Sequence, residues 1–93
     1  MSTVELITQK LAALEPQRIK IVDESARHAG HEGAKGGGGH YLLTIVSSRF
    51  SGKSPLARHR LVYETLHEMM HKNIHALSVK AYTPEEFDLI STH

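Results

Sequence analysis

The chain has no cysteine, no tryptophan and only three prolines, and aromatic side chains make up 5% of its 93 residues. Without cysteine there is no disulfide framework, no zinc–thiolate centre and no thiol nucleophile, so any bound metal must be held through nitrogen or oxygen. The scarcity of aromatics leaves little with which to stack nucleic-acid bases. No apolar run approaches the ~18 residues that span a bilayer. The opening Met1-Ser2-Thr3-Val4-Glu5-Leu6 lacks the basic and apolar regions of a signal peptide. A cytoplasmic protein with no membrane contact is the expectation. Nor is there a large excess of charge: the net value is +1, with 40% hydrophobic and 23% charged residues. Those figures suit one small globular domain over residues 1–93, of modest stability because a short chain buries a modest share of its surface.

What charge there is lies unevenly. Residues 47–80 carry Arg49, Lys53, Arg58, Arg60, Lys72 and Lys80 against Glu64 and Glu68, which leaves the remainder at net −3. A basic stretch in a near-neutral chain suggests an anionic partner; a solvated helix face is the plainer reading.

Ser2 and Glu5 form a capping-box pattern, and Val4, Leu6, Ile7, Leu11 and Leu14 recur at helical spacing up to the break expected before Pro16. Arg18 to Glu24 reads as a strand. His40 to Ser48 reads as a second, apolar enough from Tyr41 to Val46 to be buried on both sides or central. Between them, residues 25–39 hold six of the seven glycines together with His28 and His31, a long hairpin loop of the kind that carries function. Ser54 at the N-cap and Pro55 after it predict a helix running to about Lys72, with a break possible near Arg60. His75 to Tyr82 is the third strand, and Thr83-Pro84-Glu85-Glu86 opens a last short helix. The order α-β-β-α-β-α, with helices on one side of three strands, predicts a two-layer α+β domain.

Several motifs compete for the chemistry. His67-Glu68-Met69-Met70-His71 matches HExxH, which on a helix would set two imidazoles on one face for zinc. Met69 and Met70 must face the core, however, and Ile74 stands where the longer protease pattern needs glycine. Two histidines near a helix C-terminus are the plainer reading. Gly52-Lys53-Ser54 follows a strand and opens a helix, but Ser47 replaces the first glycine of a phosphate-binding loop, which excludes a nucleotide hydrolase. Gly30-His31-Glu32-Gly33 and Gly33-Ala34-Lys35-Gly36 match the GxxG of nucleic-acid clamps, yet both fall in a hairpin loop rather than between helices. That leaves His28, His31, His40 and His75. Imidazole suits iron, zinc, copper and nickel. If the third strand lies beside the first, a fixed His75 comes within reach of an adaptable His28, half of a metal site that a partner would complete. A lone histidine is otherwise an ordinary surface or hydrogen-bonded residue.

Taken together, Val22-Asp23-Glu24-Ser25, His28, His40-Tyr41, Ser47-Ser48-Arg49-Phe50-Ser51-Gly52, Arg58-His59-Arg60-Leu61-Val62-Tyr63, Ile74-His75-Ala76-Leu77 and Tyr82-Thr83-Pro84-Glu85 resemble the BolA family in collinear order from about Arg18 to Phe87. The resemblance implies a class II KH-like fold with a three-stranded mixed sheet and a long loop between its first two strands. It also implies a non-enzymatic partner of a monothiol (CGFS) glutaredoxin, the two proteins sharing a 2Fe-2S cluster with glutathione and none being held by the isolated chain. The family's strand-opening histidine falls on His75 and its loop ligand on His28, with His31 and His40 as rivals. Histidine in place of thiolate raises a cluster's reduction potential. Imidazole binds metal only when deprotonated, so retention should weaken as pH falls towards ~6.5. Some members are described as transcription regulators; Lys53, Arg58, His59 and Arg60 would then be the set that contacts a DNA backbone or docks a partner, with salt-dependent binding.

Overall fold

The computed structural model describes residues 2–25 and 39–91. Helix α1, Thr3–Leu11, starts on the expected capping box: the Glu5 amide donates to Ser2 Oγ at 3.1 Å and the Ser2 amide to Glu5 Oε1 at 3.1 Å. Ile7 and Leu11, one turn apart, are fully buried. A 3-10 turn, Ala12–Leu14, and Glu15 at φ 49° then swing the chain into β1, Arg18–Asp23.

Strand β2, Gly39–Val46, is central; β1 runs antiparallel on one side and β3, Ile74–Tyr82, parallel on the other. A parallel pair needs a crossover, and α2, Pro55–Thr65, supplies it. Helix α2 is continuous through Arg60. It begins where Ser54 Oγ accepts the Ala57 amide at 3.1 Å. A last helix, α3, spans Pro84–Ser91.

The core lies on one side of the sheet. Tyr41, Leu43 and Ile45 of β2 and Leu77 and Val79 of β3 meet Ile7, Leu11, Val62 and Leu66 from the helices, with Phe50 fully buried. Buried Ser47 ties the layers: its hydroxyl donates to the Leu14 carbonyl at 2.7 Å and accepts from the Arg49 amide at 3.1 Å. Among the described residues nothing covers most of the opposite side of the sheet, and Val22 and Leu42 are 39% and 38% exposed there.

Two expectations are corrected. Helix α2 ends at Thr65, not near Lys72; a 3-10 turn, His67–Met69, follows. Leu66 and Met69 must both reach the core, and the tighter turn brings the chain down to β3. His71 takes a left-handed conformation, φ 69°, at a place where glycine or asparagine would have signalled the stop. Strand β3 also pairs with β2 rather than β1.

Candidate functional site

Strand β3 is an edge strand, and an edge exposes a row of backbone groups that must be covered or hydrated. Helix α2 covers it with three side chains. Tyr63 Oη donates to the Leu77 carbonyl at 2.9 Å, His59 Nε2 lies 3.1 Å from the Val79 carbonyl, and Arg58 Nη1 donates to the Ala81 carbonyl at 3.0 Å. The acceptors alternate, 77, 79 and 81, because every second carbonyl of a parallel edge strand points outward.

Arg58 is held further. Its guanidinium grips Glu86 of α3 with two bonds, 2.6 and 3.1 Å, and its Nε donates to the Lys53 carbonyl at 3.0 Å. Glu86 also completes a capping box with Thr83, whose amide donates to Oε1 at 2.9 Å. The Arg58 hydrogen bond, then the Thr83 amide, pull the Glu86 carboxyl down to about 2. The same pair raises the guanidinium's hold on its proton. One end of the edge is thus closed by a charged, multiply bonded rivet.

The other end is left open. Gly39 pairs with Ile74 but His40 pairs with Ala76, so His75 is an extra residue in β3, a bulge. The bulge resets the alternation, so that Ile74 and Leu77 are both buried while His75 between them is exposed. Its ring lies 5.1 Å, centroid to centroid, from that of His40 on β2. His75 also lines a groove of about 670 Å³ with Tyr63, His67, Met70, His71 and Leu77.

The long loop is anchored at this same end. The Ser25 amide donates to Asp23 Oδ1 at 2.8 Å, the His40 amide to Ser25 Oγ at 3.2 Å, and the Glu24 amide to the His40 carbonyl at 2.8 Å. At Gly39 a Cβ would stand 2.4 Å from Ser25 Oγ and 2.7 Å from the Tyr41 hydroxyl oxygen, so any larger residue would displace the side chains that close this neck. The chain between, residues 26–38, carries His28 and His31, which lie outside the described residues.

The structure therefore brings His75 and His40 together and brings His67 and His71 to the same groove. The HExxH residues do not form the helical pair that the motif requires, since His67 lies in a 3-10 turn and His71 in a left-handed one. Among the described residues no three metal-ligating side chains converge. Of the basic set, Arg58 and His59 are spent on the β3 edge, whereas Lys53 and Arg60 are exposed. Sequence reasoning missed Tyr63 and Glu86. The spacing Arg58-His59-x-x-x-Tyr63 was the available signal: positions i, i+1 and i+5 fall on one side of a helix, and all three are side chains that can donate to a carbonyl.

Residues 11–86 match the family model described as BolA-like protein. The chain belongs to the BolA family. This BolA-like chain is 40% identical over 85 residues to the Escherichia coli protein named DNA-binding transcriptional regulator BolA, covering 90% of this chain and 78% of that one. It is 42% identical over 78 residues to SufE-like protein 1, chloroplastic/mitochondrial, of Arabidopsis thaliana, a match that covers 78% of this chain and 21% of that one. The solved structure of BolA1 from Arabidopsis thaliana superposes with a TM-score of 0.79 at 40% identity, covering 92% of this chain and 96% of that one. The three helices and mixed sheet of the BolA-like fold are those expected from the sequence. No helix among the described residues is long and apolar enough to cross a membrane.

Proposed function

We propose that this chain is a non-enzymatic partner of a monothiol (CGFS) glutaredoxin, co-ligating a 2Fe-2S cluster with it and with glutathione for iron–sulfur trafficking, iron sensing or redox signalling. One observation carries the reading. His75 is lifted out of the strand ladder by a bulge, is exposed, and sits beside His40 at the open end of a groove and at the neck of the loop that bears His28 and His31. A cysteine-free chain can offer only such nitrogen ligands, and imidazole is an accepted ligand of one iron in a 2Fe-2S centre. His75 is the fixed ligand in this scheme; His28 is the second, with His31 and His40 as rivals. The cluster is cargo, and no residue is assigned a catalytic step. A chain without disulfides suits a reducing compartment such as the cytoplasm.

The test is anaerobic reconstitution of the cluster on a CGFS glutaredoxin with glutathione, followed by visible circular dichroism as this chain is titrated in. A spectral change that saturates at one equivalent and disappears in His75→Ala supports the reading. An unchanged spectrum overturns it.

A second reading is DNA binding. Two relatives, from Escherichia coli and Vibrio cholerae, are named DNA-binding transcriptional regulator BolA, and Lys53, just before α2, and Arg60, on it, are exposed and line one surface groove. Arg58 and His59 would have to leave β3 to take part. Filter binding at low salt that detects no affinity would dispose of this reading.

A further inference from the structure

Besides Leu56, a single exposed side chain on α2, the described residues expose apolar side chains in two groups of opposite electrostatic setting. The first is the uncovered side of the sheet. There Val22, Leu42 and Ser78 form one row across the three strands, and Lys20, Thr44 and Lys80 form the next. Together they line a shallow groove of about 190 Å³. Neither lysine enters an ion pair among the described residues. They sit on the outer strands, about 10 Å apart at two strand spacings, so they flank anything laid along β2. A helix, about 10–12 Å across with its side chains, would rest on this row with a lysine at either flank.

The second place is α3. Its Glu86 and Phe87 are turned inward, onto Arg58 and beneath the Arg18 guanidinium respectively. Glu85 and Leu89, four residues apart, share another side, with Asp88 next to them. Leu89 is 69% exposed and Ile90 51%. The groove is apolar with basic walls; the helix is apolar with acidic flanks.

We propose that the uncovered sheet face receives α3 of a second copy of this chain, in a reciprocal dimer in which each α3 lies over the other's Val22–Leu42 row. Charge decides the orientation. Face against face would set Lys20 and Lys80 against themselves, and helix against helix would set Glu85 against itself, whereas helix on face pairs the two signs twice over. The remaining candidate from within the chain, residues 26–38, carries Arg27 and Lys35 against Glu32, the wrong sign for this groove.

The test is analytical ultracentrifugation of the full chain at low salt up to about millimolar concentration. The wild type should show a concentration-dependent dimer. Lys20→Glu/Lys80→Glu and Glu85→Lys should each weaken self-association by at least about tenfold, since each sets like charges across the contact. Mixed in equal amounts, the two variants should associate with each other, because reversing both partners restores the attraction. A monomer at every concentration overturns the proposal, as does a dimer indifferent to both variants or a mixture that stays dissociated. Far-ultraviolet circular dichroism checks that the variants fold; the altered side chains are all exposed.

Discussion

The two ends of β3's outer edge are built to opposite rules. From Leu77 to Ala81 three side chains of α2 each serve one carbonyl, and the last of them is tied to α3 by two bonds. From Ile74 to Ala76 the strand is bulged, the edge faces a groove, and the exposed residue is a metal-ligating histidine. Both ends draw on histidine and tyrosine. What separates them is whether the protein consumes the donor itself. His59 lies in hydrogen-bonding reach of a backbone carbonyl and is lost to outside partners, while the ring of His75 has a histidine for a neighbour.

The contrast can be broken most forcefully at the sealed end. Arg58→Ala removes a largely covered guanidinium and frees both the Ala81 carbonyl and Glu86. It should lower stability by about 2–3 kcal/mol, read as a shift in the urea midpoint at unchanged slope. Cluster sharing by the folded fraction should survive, because nothing at His75 depends on that rivet. Tyr63→Phe deletes a single bond to the Leu77 carbonyl and should cost about 1 kcal/mol by the same measurement. Because Tyr63 also lines the groove, this variant asks whether the sealed and open stretches are independent at their junction. Its cluster spectrum should keep its form.

A subtler effect lies in acid. The carboxyl of Glu86 sits near 2, against an ordinary value of 4.5, held down by Arg58 and the Thr83 amide. A depressed carboxylate stabilises the fold above its unfolded value and ceases to do so as pH falls through its folded one. The contribution is therefore complete above about 4.5 and is lost on the way down to about 2. Glu86→Gln should flatten the acid limb of the stability curve in that window and leave its shape above pH 5 unchanged, as followed by urea melts across pH. The smallest effect on stability belongs to the open end. His75→Ala should change the urea midpoint by no more than about 0.5 kcal/mol, as exposed positions generally do, while removing the cluster-dependent dichroism altogether. A large loss of stability there would show the bulge to be part of the scaffold and would weaken the contrast.

Much of this was readable from residues. The caps at Ser2, Ser54 and Thr83 signal their helices because each supplies an oxygen with a matching partner or proline close behind. The apolar run from Tyr41 to Val46 pointed to β2 as buried or central; β2 is the central strand, yet Leu42 faces the open side and is 38% exposed. Less visible was the end of α2. No glycine or proline stands between Thr65 and Ile74; the helix stops because Leu66, Met69 and Ile74 must all reach one core, a tertiary demand that leaves no local mark. The basic cluster misled for a related reason. Arg58 reads as an exposed cation until Glu86, 28 residues away, is placed against it. At the site itself, His75 was legible through the family resemblance, but its closeness to His40 required the pairing of β2 with β3.

The bulge also sets how the sheet carries His75. In the pairing of β2 with β3, every residue on either side of it keeps a partner, and it alone is not counted. A one-codon deletion there would place Ala76 directly after Ile74 and restore an unbroken alternation, with Ile74, Leu77 and Val79 inside and Ala76 and Ser78 outside. Such a shortened chain is expected to fold at least as readily as the natural one. Removing the histidine would take away the exposed ring beside His40 while leaving His67 and His71 in the groove.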